Sequence, residues 1–92
     1  MRAIVSVIGR DRIGIIARVS AVLSQRRINI LDISQTILDK YFTMIMLVSL
    51  DQMTIPFNDL VEELGKVGDE LGVSIKVQHQ DIFDAMHKLD KE

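Results

Sequence analysis

The stretch Ile4-Val5-Ser6-Val7-Ile8-Gly9-Arg10-Asp11-Arg12-Ile13-Gly14-Ile15-Ile16 decides the fold of this chain. Its first part is β-branched and reads as a strand over residues 2–8. Its last part opens an apolar stripe, Ile15, Ile16, Val19, Val22 and Leu23, at helical spacing, with Arg18, Ser20, Ser24 and Gln25 mostly opposite. A helix is expected from about Gly14 to Arg26. Between the two elements lies a polar loop, Gly9 to Ile15, closed by Gly14. The first turn of a helix has backbone N–H groups without intrahelical partners and carries the positive end of the dipole. A carboxylate or phosphate can be held there by backbone alone, and Gly14, lacking a Cβ, leaves the approach open.

Outward from this loop the chain keeps switching period. Asn29 to Leu38 reads as a second strand, with Leu31, Ile33 and Ile37 on one face and Asp32, Ser34 and Thr36 marking a polar one. Asp39-Lys40 makes a turn into a third strand, Tyr41 to Leu50, and that short connection predicts an antiparallel hairpin with a bulge or a longer loop. The third strand is apolar on both faces, Phe42, Met44, Met46 and Val48 against Ile45 and Leu47, which suits a central strand. Pro56 suits the first helical position of a second helix whose stripe is Phe57, Leu60, Val61, Leu64, Val67 and Leu71, with Gly72 as its stop. Gly65 and Gly68 fall inside that helix and weaken it or permit close packing. Val73, Ile75 and Val77 alternate with Ser74 and Lys76 in a half-exposed fourth strand. Asp81 is positioned to cap a last helix in which Ile82, Phe83, Met86 and Leu89 share a face.

The order β-α-β-β-α-β predicts an α+β, ferredoxin-like sandwich. It has a four-stranded antiparallel sheet, two helices on one face and an extra C-terminal helix. That helix is expected on the bare sheet face or on a partner. One domain fills residues 1–92, with a core over 1–79 and the terminal helix at about 81–90.

Composition narrows the functions. At 92 residues a deep enclosed cavity is not available, so a ligand belongs in a surface cleft or between subunits. A net charge of −2 gives no long-range attraction to nucleic acid or to anionic membranes. Arg26-Arg27 is the local basic pair, at a helix end where cations suit the dipole. With no cysteine, disulfides, thiolate metal sites and a thiol nucleophile are excluded. No signal-peptide pattern and no run of about 20 apolar residues occurs, so a soluble, cytoplasmic protein is expected.

The chemical candidates are few. Asp11 in the loop suits an ammonium group, but Asp11 or Arg12 could equally serve only to cap the helix. The amide of Asn29, at the start of the second strand, can donate to and accept from a ligand, or simply suit a turn. His79 and His87, with Asp81 and Asp84, lack a recognisable metal-ligand spacing, so no metal is expected. The methionines read as core filler. No Ser-His-Asp set or close pair of carboxylates suggests catalysis. Arg10, Arg12 and Asn29 imitate an acylphosphatase phosphate loop only crudely.

The run Gly9-Arg10-Asp11-Arg12-Ile13-Gly14-Ile15-Ile16-Ala17, continued by Asn29-Ile30 and Asp32-Ile33-Ser34-Gln35, resembles an ACT domain. It is most similar to the small stand-alone ACT proteins of bacteria and archaea, and less closely to the ACT units of glycine-cleavage regulators. The likeness extends through Tyr41-Phe42-Thr43-Met44 to Ile82-Phe83-Asp84-Ala85-Met86. It implies a non-catalytic regulatory module without a cofactor, binding a small amino acid or similar metabolite at a homodimer interface. The implied contacts are Asp11, Arg12, Ile13, Gly14 and Ile15 of one subunit with Asn29, Ile30 and Leu31 of the other. Many members carry Pro where this chain has Ile13, which implies a less rigid loop and a different ligand. The alternative is a subunit that docks on an enzyme or regulator and binds no metabolite.

Overall fold

The computed structural model describes residues 1–10 and 13–87. Asp11, Arg12 and Leu89, singled out above, lie outside the described residues. The elements are β1 (Arg2–Arg10), α1 (Ile15–Gln25), β2 (Asn29–Leu38), β3 (Tyr41–Ser49), α2 (Phe57–Leu71), β4 (Ser74–His79) and α3 (Gln80–His87). The sheet is fully antiparallel in the order β2-β3-β1-β4, the ferredoxin-like arrangement.

One sheet face carries the core. Ala3, Val5 and Val7 of β1 and Phe42, Met44, Met46 and Val48 of β3 pack beneath Ile15, Val19 and Leu23 of α1 and Leu60, Leu64 and Val67 of α2. Met44 and Met46 are fully buried, as core filler should be, but Met1 and Met86 are exposed and are not part of the core. Each helix stripe loses one member to solvent, however: Ile16 and Val61 are exposed. Both sit at the margin of the apolar arc, and a sheet this narrow covers only the centre of each helix. The helices are joined side by side by ion pairs, Arg26 to Glu63 at 2.9 and 3.2 Å and Arg18 to Glu70.

β1 is longer than its β-branched run. Gly9 and Arg10, expected in the loop, continue the ladder opposite Phe42 and Tyr41. A Cβ on Gly9 would lie 2.6 Å from Val73 Cγ1, so this glycine answers a close approach inside the sheet rather than a turn. Gly65 and Gly68 likewise differ. A Cβ on Gly68 would meet the Val73 carbonyl oxygen at 2.7 Å, whereas one on Gly65 would meet nothing within 4 Å. Pro56 stands one residue before its expected place, at the cap of α2.

The hairpin turn is as short as Asp39-Lys40 allows, with Leu38 paired to Tyr41 and Asp39 at φ 57°. The bulge expected near it lies at the other end of β2, between Ile30 and Asp32, where Leu31 is the extra residue. This resets the alternation, so Ile30, Ile33 and Ile37 share the helix side, opposite Val48, Met46 and Phe42, and Leu31 is not in line with them. Among the described residues no helix covers that part of the sheet, and Ile33 and Ile37 remain 41% and 58% exposed.

β4 begins one residue later than its alternation, at Ser74, and runs directly into α3 at Gln80. Asp81 is therefore inside the first turn of α3 and not its cap. α3 lies against β1 and β4, with Phe83 and Met86 facing Ile8 and Ile45 across a groove on the face opposite α1 and α2. Among the described residues no helix is long and apolar enough to cross a membrane.

Candidate functional site

Gly14 precedes α1 at φ 93°, a left-handed value that disfavours any residue with a Cβ. Among the described residues nothing beyond its chain neighbours lies within 4 Å of where its Cβ would be, so they leave the approach to the first turn open as well. Arg18 N–H donates to the Gly14 carbonyl at 2.9 Å and starts the helix ladder. The N–H groups before Arg18 therefore lack intrahelical acceptors. The first turn, Ile15 onward, contains no acidic residue, and its positive end is uncompensated from within the helix. Ile13 is fully exposed beside it, while Ile15 is buried and anchors the turn.

The second half of the expected site is elsewhere. Asn29 opens β2 and is exposed, Ile30 is half-buried against the core, and Leu31 is the exposed bulge residue. The eleven residues of α1 put about 16 Å between Gly14 and the start of β2. The ladder gives the same answer. Arg10, which leads into the loop, pairs with Tyr41, and Tyr41 with Leu38, whereas Asn29 pairs with Ser49 and Ser49 with Arg2. Loop and strand start are thus at opposite ends of the sheet, roughly 27 Å apart along β3. Among the described residues, one chain does not bring the two groups together.

Around Asn29 the chain does form a hollow of about 550 Å3. Its floor is Leu23 and Ile28, and its polar wall is Ser20, Ser24, Arg27, Asn29 and Gln52. Arg27 was legible in the sequence only as a cation at a helix end. In the structure it holds φ 59°, the left-handed residue after the helix, where glycine or asparagine is usual. Its backbone has little choice. Ile28 N–H donates to the Leu23 carbonyl at 2.9 Å, Arg27 N–H to Ser24 at 3.1 Å, and Thr54 N–H to the Arg26 carbonyl at 3.1 Å. Arg26 itself is clamped by Glu63, whose hydrogen bond and charge raise the pKa of its guanidinium further. The sequence signal for this strain was the lack of any glycine between Leu23, the last stripe residue, and Asn29.

His79 stacks on Phe57, ring centroids 4.0 Å apart, at the far end of β4. Among the described residues no three His, Asp or Glu side chains stand close enough to hold a metal ion.

The β2-β3-β1-β4 sheet with its helices is the fold of one family of domains, and the family model described as the ACT domain aligns with residues 2–78. The chain belongs to the ACT domain family. It is 54% identical over 88 residues to a UPF0237 protein of Methanocaldococcus jannaschii, covering 96% of this chain and 98% of that one. Among solved structures it is similar to an ACT domain protein from Streptococcus pneumoniae, with a TM-score of 0.79 at 45% identity over 95% of this chain and 98% of the other. A candidate glycine cleavage system transcriptional repressor matches less closely, with a TM-score of 0.69 at 26% identity over 86% of this chain and 45% of its own. ACT domains are generally regulatory ligand-binding modules.

Proposed function

We propose that this ACT domain is a non-catalytic sensor that binds a small amino acid or a similar metabolite between two copies of itself. The observation that carries this reading is the separation of the two half-sites along α1 and β3. An antiparallel β2–β2 pairing about a two-fold axis sets Asn29 of one copy beside the Leu38 end of the other. That end also carries the Gly14 loop and the start of α1. The pairing thus completes, twice, a site that one chain leaves divided.

The edge itself supports the pairing. β2 is ten residues long, is nearly all exposed, and contains Asp32 as its one charged residue. A strand of that length without lysine or proline is a template for another strand. Ile33 and Ile37, exposed beside it, would be covered by a second α1 and β2.

In the assembled site the ligand's carboxylate meets the open N-terminus of α1, and the Asn29 amide of the other copy orients its polar groups. Asp11, by its place in the loop, is the group for an ammonium. A sedimentation series and a thermal-shift screen against the amino acids, each at millimolar concentration, test the proposal. The expected result is a dimer at micromolar concentration and a selective stabilisation, lost in Gly14→Val and in the monomeric variant Ile33→Lys. A monomeric wild type, or a selective shift that Ile33→Lys retains, would refute it. A dimer with no response to any amino acid would favour the docking-subunit alternative.

A further inference from the structure

We propose that Arg27 makes the site selective for an acidic amino acid, its guanidinium taking the side-chain carboxylate. This rests on the amino-acid reading above and names the class of ligand.

Three independent observations converge on it. First, the hollow beside Asn29 offers hydroxyls from Ser20 and Ser24, amides from Asn29 and Gln52, and one full positive charge, that of Arg27. No carboxylate lines it among the described residues. With one guanidinium and no carboxylate, such a wall favours an anion over a cation. Second, of the three arginines on α1 and at its C-terminal end, Arg27 is the one left over. Arg18 and Arg26 are committed across the helix pair to Glu70 and Glu63, while Arg27 has no ion-pair partner among the described residues. Third, its backbone is fixed in the left-handed region by the Ile28–Leu23, Arg27–Ser24 and Thr54–Arg26 hydrogen bonds, so the side chain leaves a rigid base at a set angle. A planar fork on a rigid base suits bidentate carboxylate recognition, which a lysine or an amide does not reproduce. Asn29 lines the same hollow, so a ligand oriented by that amide extends its side chain toward Arg27.

The test is calorimetric titration of the purified protein with L-glutamate, L-aspartate, L-glutamine and L-asparagine at low ionic strength. The variants are Arg27→Asn, Arg27→Lys and Gly14→Val. Asparagine tolerates the left-handed backbone, so Arg27→Asn removes the charge and is expected to melt no lower than wild type. The expected result is at least tenfold tighter binding of the acids than of the amides. This ratio should fall to twofold or less in Arg27→Asn and recover only in part in Arg27→Lys. A preference for acids that survives in Arg27→Asn overturns the role of Arg27. Amides or apolar amino acids bound as tightly as acids overturn the selectivity and leave the amino-acid reading intact. An Arg27-dependent preference indifferent to Gly14→Val supports the inference and refutes the two-copy site. No binding of any amino acid refutes both.

Discussion

β1-α1-β2 and β3-α2-β4 follow one plan, a strand, a helix and a returning strand, yet every joint is finished differently. α2 starts from Pro56 at φ −63°, already suited to a helix, and has Asp59 in its first turn to meet the dipole. α1 starts from a left-handed Gly14 with no acid in its first turn. α2 stops at Gly72, φ 73°, with Val73 N–H on the Gly68 carbonyl at 2.9 Å. α1 makes the same five-residue closure, Ile28 to Leu23, but asks Arg27 to take the left-handed backbone. β4 is a six-residue edge with Lys76 on it and α3 beside it, while β2 is a ten-residue edge open to solvent. The second half is built for stability. Among the described residues the first half leaves free N–H groups, an unpaired guanidinium and an unprotected edge, and such local concessions gather where a protein meets its ligands and partners.

The comparison can be tested at the joints themselves. The largest effect is expected at Gly68. Its substitution by alanine forces a Cβ onto the Val73 carbonyl oxygen and should cost about 2–3 kcal/mol, read as a lower denaturation midpoint at unchanged slope. Gly72→Arg copies the strained stop of α1 onto α2 and should cost about 1–2 kcal/mol, a Tm loss of several degrees. Arg27→Gly performs the reverse exchange and should stabilise by up to about 1 kcal/mol in thermal melts while it removes the charge from the hollow. Gly65→Ala, three residues from Gly68 but with open space around it, should gain roughly 0.5–1 kcal/mol in the same melts. Equal responses at Gly68 and Gly65, or a loss in Arg27→Gly, would erase the contrast between the halves.

Much of this was legible in the residues. The alternation Val73, Ile75, Val77 and the two-faced apolar run of Tyr41 to Leu50 announced a half-exposed strand and a central one, and the helical stripes named the buried apolar residues of α1 and α2. Periodicity identifies a face, though, and not what covers it, which is why Ile16, Ile33, Ile37 and Val61 look internal in the sequence and are wet in the structure. Glycine is ambiguous for a related reason. The same residue type serves a left-handed backbone at Gly14, a close side-chain approach at Gly9 and a close carbonyl at Gly68, and only geometry separates them. The site was legible as two short motifs. Their placement at opposite ends of one sheet follows from strand direction, and the strain at Arg27 follows from three hydrogen bonds between residues up to 28 positions apart.

The bulge at Leu31 has an evolutionary consequence. Ile30 faces the helices opposite Val48, and Asp32 faces away opposite Leu47, so the ladder on either side already alternates as though Leu31 were absent. A codon deleted there would close a regular ladder without turning any other residue of β2 to the wrong face, whereas a deletion elsewhere in the strand would invert everything on one side of it. Leu31 is the place where this strand can change length and keep its meaning, one residue beyond the pair that begins the candidate site.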